Sequence, residues 1–395
     1  MRCRNIQIAV YNYQGSIMNC HSKVLTATFY MCVLSIAGCD RSPSGGRAGP
    51  TEAASKNDVN LYIWTDYLAP NTLSSFEKAT GVKVHVAYFE NNETLEAKML
   101  TGHSGFDVVF PTAPFLQRDL SSGAYRELDK KLLPNLVNLD RAIMARTEPY
   151  DPGSTHGVIY TWGTFGIGYN EKLLAALEPR TAVDSWRLVF DPHYASLLAK
   201  CGINILDAPA AVVRIVLNYL GRNPNSPTSE DLAAAEALLM SIRPYVRNID
   251  STTGTEALAN GDVCIVLEYN LTTYQARHRA LEARNGHQVD YAIPKEGSIV
   301  FFGMVAIPRD APHVANAHLF INYLMNPQVI ADVSNYIGNA NANAAATALL
   351  DPSIAADHSV YPPEEIQRRL FLQLADSPEQ SRAITRLWQK FKTGH

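Results

Sequence analysis

Leu61-Tyr62-Ile63-Trp64-Thr65-Asp66-Tyr67-Leu68-Ala69-Pro70-Asn71-Thr72 passes from an apolar run, through a turn rich in aromatic and polar side chains, to a helix start. Residues 59–64 predict a strand, and Pro70 suits the first turn of a helix running to about Thr80, where Gly81 stops it. Val82, Val84 and Val86 then alternate as a second strand. A helix over 93–101 leads to Gly105-Phe106-Asp107-Val108-Val109-Phe110-Pro111, an apolar run of the kind buried in parallel sheets, and a third helix is expected over 114–122. This β-α-β-α-β-α order predicts a doubly wound α/β domain. In such sheets the carboxyl ends of the strands open onto the ligand crevice. Trp64 and Tyr67 flank Asp66 at such an end, and two π-faces beside one carboxylate suit a small organic cation.

Beyond this first domain, 157–170 reads as one extended crossing segment. From Val183-Asp184-Ser185-Trp186 the alternation restarts. Strands are expected over 203–207 and 263–267, with helices over 210–220, 231–245 and 272–284. Strands over 289–293 and 300–307 and two further helices precede a helical tail with a charged face. The chain of 395 residues thus accommodates two α/β domains. Its net charge of −4, with no basic block, argues against nucleic acid as a partner.

The N-terminus reads as an export signal. Residues 1–38 hold three basic residues and no acidic one, and the apolar run 24–38 ends in small residues before Cys39. That run is shorter than the roughly 20 residues a spanning helix needs. Ile36-Ala37-Gly38-Cys39 resembles the bacterial lipobox, in which the cysteine is acylated, and Asp40 after it resembles an inner-membrane retention signal. Translation is expected to start at Met18, and residues 39–58 read as a flexible tether. A chain beginning at Cys39 holds 31 basic and 38 acidic residues, a mildly acidic surface. Of the six cysteines, Cys201 and Cys264 then remain, an even pair in an oxidising compartment, either bridged or two buried thiols.

Enzyme signatures are missing. There is no glycine loop with Lys-Ser/Thr for phosphates, no Gly-x-Ser-x-Gly elbow and no His-Glu-x-x-His zinc helix. Gly163-x-x-Gly166-x-Gly168 has the wrong glycine order for a dinucleotide site. The eleven histidines are scattered. No catalytic residue, metal or cofactor is expected.

Eleven stretches in order match one family. They include Trp64-Thr65-Asp66-Tyr67-Leu68-Ala69-Pro70, Gly105-Phe106-Asp107-Val108-Val109, Gly166-Ile167-Gly168-Tyr169-Asn170, Leu206-Asp207-Ala208-Pro209, Leu258-Ala259-Asn260-Gly261-Asp262, Ile293-Pro294-Lys295-Glu296-Gly297 and Ala340-Asn341-Ala342-Asn343. In these the chain resembles the periplasmic putrescine- and spermidine-binding proteins of bacterial ABC transporters, the putrescine type above all. The resemblance implies a type II periplasmic binding protein fold, two doubly wound α/β lobes with a hinge and a ligand cleft. It assigns 59–162 and 281–352 to one lobe, and 163–280 and 353–395 to the other. It also implies a Cys201–Cys264 disulfide, a periplasmic location, a small cationic ligand and the permease subunits of an importer as partners, with membrane contact only through the lipid on Cys39.

Carried over by position, the resemblance gives Trp64, Thr65, Asp66, Tyr67, Thr112, Ser251, Tyr269 and Phe301 as ligand contacts. Three acidic contacts are absent: their positions hold Ala210-Ala211, Thr272 and Gly303, and Asn339 stands where a tyrosine is usual. A buried ammonium without a counter-charge loses several kcal/mol, about tenfold in affinity for each 1.4 kcal/mol. A ligand with one ammonium end, or a sensor role on the same fold, is therefore the alternative to diamine transport. Glu268 reads as a solvent-facing strand end, and replaces a lost carboxylate only if the strand turns it inward.

Overall fold

The structure, a computed structural model, describes residues 57–177 and 182–395. The expected leader, Cys39 and nearly all of the tether lie outside the described residues. Asp58–Trp64 (β1) pairs in parallel with Lys83–Phe89 (β2) on one side and Val108–Val109 (β3) on the other. The helix Thr72–Thr80 (α1) leads from β1 to β2, Asn92–Leu100 (α2) from β2 to β3, and Ala113–Leu120 (α3) follows β3. The doubly wound start is as expected, with two local differences. Pro70 sits outside α1, in a turn closed by Thr72 N donating to Ala69 O (3.0 Å), so Asn71 takes the cap position. The ladder of β3 covers two residues only, since Pro111 has no N–H to give, yet Val108, Val109, Phe110 and Pro111 are all buried.

Gly157–Asn170 (β4) is the crossing segment. Ile203–Ile205 (β5), Asn248–Ile249 (β6), Ile265–Tyr269 (β7), Val289–Ala292 (β8) and Ile299–Ala306 (β9) complete the main strands, in the order β2-β1-β3-β9-β4-β7-β5-β6 with β8 off this path against β4. The first half of β4 pairs antiparallel with β9 from Gly157 to Thr164. Its second half pairs antiparallel with β7 from Phe165 to Tyr169 and with β8 from Ile167 to Asn170. One strand therefore belongs to two sheets. Behind the first lies a core containing Phe76, Phe110, Phe302 and Phe320; behind the second, a core containing Trp186, Phe190, Leu267 and Trp388. At the changeover, a Cβ on Gly163 would fall 2.3 Å from Asn270 Oδ1 and 2.7 Å from the Phe301 ring. Only glycine permits that approach.

Ala340–Asn341 (β10) pairs with β4 at Thr161–Trp162, and Phe371–Leu372 (β11) runs parallel to β9 at Ile299–Val300. The segment after β11 touches both halves. Tyr150 OH donates to Gln373 O (3.0 Å) and Ala375 N to Gln117 Oε1 (3.0 Å), both from the first half. From the second, Arg214, 1% exposed, places Nη2 2.6 Å from Asp376 Oδ1. The Cys201–Cys264 disulfide is present, with Cα atoms 5.4 Å apart, tying the approach to β5 to the approach to β7.

Candidate functional site

The parallel pairing of β1 with β3 sets their carboxyl ends side by side, and Trp64 Nε1 donates to Phe110 O at 2.8 Å across them. The indole is partly exposed and tilts against Phe89, centroids 4.5 Å apart. Thr65 and Asp66 are exposed. Asp66 holds φ +53°, one of three non-glycine residues in that region among the described residues. Aspartate tolerates this conformation better than most, at a cost of order 1 kcal/mol, and strain of this kind concentrates at functional turns. Thr112 caps α3 with its backbone only, donates its N–H to Asn92 Oδ1 (3.0 Å) and bridges to Gly303.

Tyr67 points elsewhere. It is 6% exposed, with its hydroxyl 2.5 Å from Thr161 Oγ1 and its carbonyl accepting from Tyr160 OH (2.9 Å). Burial pushes its phenol up to about 12, with the Thr161 hydrogen bond opposing. A Cβ on Gly303 would lie 2.4 Å from Tyr67 OH. The position that lost an aspartate is therefore filled by the tyrosine of the opposite strand end.

On the other sheet β5, β6 and β7 are mutually parallel, so Asp207, Ser251 and Tyr269 follow neighbouring carboxyl ends. Ser251 is exposed, its hydroxyl 3.4 Å from Asp207 O. Tyr269 stacks edge-on against Phe165 (5.1 Å) and against Phe301 of β9 (5.0 Å), and this last contact joins the two halves of the site. The phenol of Tyr269 is pushed well up by burial, and the charges of Glu268 and Glu93 add to this, so α2 of the first half also approaches it. The structure thus brings Trp64, Thr65, Asp66 and Thr112 to one rim, Ser251 and Tyr269 to the other, and Phe301 between them, with Tyr67 beneath.

Ala211 is buried, and Ala210 O accepts from Arg214 Nη1 (2.9 Å). That guanidinium also reaches Asp376, Leu374 O and Asn225 Oδ1, so none of it is left for a ligand. Asn339 is fully buried; its Oδ1 accepts from Asn270 Nδ2 (3.2 Å) and its Nδ2 has no partner. Asn270, which the sequence does not mark, also takes the N–H of Thr164 on Oδ1 (3.0 Å), locking the changeover in β4.

Glu268 corrects the expectation. It is 6% exposed, not a solvent-facing strand end, and lies on the face of β7 opposite Tyr269. Its Oε1 accepts from Tyr269 N (2.8 Å), and it hydrogen-bonds Thr272, a position that lost an acid. Burial pushes its carboxyl up to about 8, and the charge of Asp250 adds to this while those hydrogen bonds oppose it.

The profile of the bacterial extracellular solute-binding protein family matches residues 71–361. The chain is 44% identical over 353 residues to the putrescine-binding periplasmic protein SpuD of Pseudomonas aeruginosa, covering 89% of this chain and 96% of that one. It is 41% identical over 346 residues to the putrescine-binding periplasmic protein PotF of Escherichia coli, covering 87% and 94%. Among solved structures, the spermidine/putrescine ABC transporter substrate-binding protein PotD of Streptococcus pneumoniae superposes with a TM-score of 0.73 at 23% identity, over 86% of this chain and 99% of that one. With its type II binding-protein fold and strand ends facing across a changeover strand, this chain belongs to the family of bacterial extracellular solute-binding proteins.

Proposed function

We propose that the protein is the periplasmic, non-catalytic binding component of an ABC importer for small amines of the polyamine class. The observation that carries this is the pair of facing rims, with Asp66 at one, the aromatic Tyr269 at the other and Phe301 between them, on a chain more than 40% identical to two putrescine-binding proteins over nearly its whole length. Trp64, Thr65, Asp66, Thr112, Ser251, Tyr269 and Phe301 are the proposed contacts, and Tyr67 supports the turn from below. The permease subunits are the proposed partners, and lipid on Cys39 the proposed tether. The two cores are the proposed lobes, 59–162 with 281–352 and 163–280 with 353–395, and the chain passes between the cores at Gly163–Thr164, Ile299–Phe301 and 371–374. Swinging such a pair from 1:99 open to 99:1 closed takes roughly 5.5 kcal/mol of differential affinity.

The loss of acids at Ala210-Ala211 and Gly303 favours a second reading, in which one ammonium is held firmly and the other end weakly. Titration calorimetry with 1,4-diaminobutane, agmatine, spermidine and 1-aminobutane tests both. The expected result is micromolar or tighter binding of at least one of them, lost at least tenfold in Asp66→Asn, which keeps the shape and the left-handed preference but not the charge. Absence of binding to every amine rejects the function; unchanged binding in Asp66→Asn rejects the role of the turn.

A further inference from the structure

We infer that the side of the helix Asn270–Ala283 carrying Asn270, Leu271 and Tyr274 is a second interface between the two cores, made away from the ligand, and that it sets how tightly every ligand is held by favouring the closed arrangement. This rests on the reading of the two cores as closing lobes, and goes beyond it by naming a contact outside the proposed ligand contacts.

The helix begins directly after Tyr269 and uses its two sides differently. One side belongs to the second sheet. Ala276 and Ala280 pack with Val266 of β7 and Val289 of β8, and a Cβ on Gly168 of β4 would lie 2.4 Å from Thr273 Oγ1. Those contacts fix the helix to the strands behind Tyr269. The other side faces the first core. Asn270 Nδ2 donates to Gly338 O (3.3 Å) and to Asn339 Oδ1 (3.2 Å), Leu271 packs against that core, and Tyr274, 8% exposed, is part of it. Asn270 and Leu271 stand four and three residues before Tyr274, so the three share one face of the helix.

The seat for Tyr274 is specific. Gly338 closes the helix Pro327–Ile337 at φ +70°, and a Cβ there would fall 2.3 Å from the Tyr274 ring. The ring therefore lies on bare backbone, in a place that one relative position of the cores provides. Asn270 sits at the crossing itself: its Oδ1 accepts from Thr164 N (3.0 Å) and would lie 2.3 Å from a Cβ on Gly163. Tyr274 stands about 6 Å further along the helix. Tyr269 and Asn270 are consecutive, so a rotation at Gly163–Thr164 that parts Tyr269 from Phe301 also lifts Tyr274 off Gly338. The interface is made where the rims meet and is lost with them. It adds to closure whatever the ligand, and a change in the binding-competent fraction multiplies all affinities alike.

The test is binding kinetics of the whole protein with 1,4-diaminobutane and spermidine, comparing the wild type with Tyr274→Leu, which empties the seat, and Gly338→Ala, which puts a methyl group in it. Each variant should weaken both amines by the same factor, about threefold or more, chiefly through faster dissociation. A second measurement needs no variant to fold. Amide hydrogen exchange of the wild type over 333–341 should slow when amine saturates the protein, although no residue there is a proposed ligand contact. Affinities unchanged or raised in the variants, a loss confined to one amine, or exchange over 333–341 that is the same with and without amine overturns the interface and leaves the amine-binding function standing. Failure of the wild type to bind any amine removes the reading on which the interface rests.

Discussion

The hydroxyl of Tyr67 reaches the point where a side chain at residue 303 would begin. Tyr67, Thr161 and Gly303 therefore act together: the glycine makes room, and the Thr161 hydroxyl takes up the phenol that fills it. Restoring an acid by Gly303→Asp should not restore a ligand contact. It forces Tyr67 to move and buries a charge, and overpacking of this kind costs about 1–3 kcal/mol. The expected outcome is a melting temperature lowered by several degrees with no gain in diamine affinity; a gain would mean that the tyrosine swings out freely. Glu268 shows the reverse case, an acid that a sequence reader assigns to solvent and that burial makes consequential.

At the scale of elements, the helix starts and parallel strands on the amino-terminal side follow the sequence signals closely, since the apolar periods and breakers there are local. Gly81 ends α1 with φ +73°, as a left-handed cap requires. β4 differs: its fourteen residues are one strand in two sheets, which periodicity cannot separate because both halves are buried. The disulfide works at this scale too. It closes a loop of 63 residues within the second half, for which the chain-entropy model gives about 4 kcal/mol. Reduction should shift the denaturant midpoint downward by that order. An unchanged midpoint under dithiothreitol, with thiol titration confirming reduction, would show that the bridge contributes nothing to stability.

For the molecule as a whole, two buried carboxyls set the pH response of the ligand-free state. Burial raises Glu268 to about 8; burial, together with a hydrogen bond and repulsion from Glu96, raises Asp119 to about 7. Each binds a proton when folded that it has lost when unfolded, so its contribution is fully present below the ordinary carboxylate range and is lost as pH rises through the folded value. Stability should therefore fall between about pH 5 and pH 8, by up to roughly 1.4 kcal/mol per pH unit for each group. Asp231, which hydrogen bonds from Thr228 hold below the usual range, works in the opposite sense and favours folding until the pH falls through its own titration. Thermal melts from pH 4 to 9 should peak on the acid side of neutrality, and Glu268→Gln should flatten the alkaline slope. A melting temperature that climbs steadily to pH 8 would contradict this assignment.

Much of this protein is written locally. Strand and helix signals, glycine stops, the missing catalytic motifs and the Trp64-Thr65-Asp66-Tyr67 turn are short-range patterns, and they suffice for a doubly wound α/β chain without enzyme signatures; the type II binding-protein fold is what the family resemblance adds. That resemblance, carried over by position, also marks the three lost acids. Contacts between residues distant in sequence decided the rest. Tyr67 turns inward because Gly303, 236 positions later, lacks a Cβ. Glu268 is buried because β5, β8 and the Ser251–Gly254 turn close around it. Asn270 gains its role only where β4 and β7 assemble. Burial and close approach are properties of the packed chain, and no local pattern encodes which distant backbone will arrive beside a given side chain.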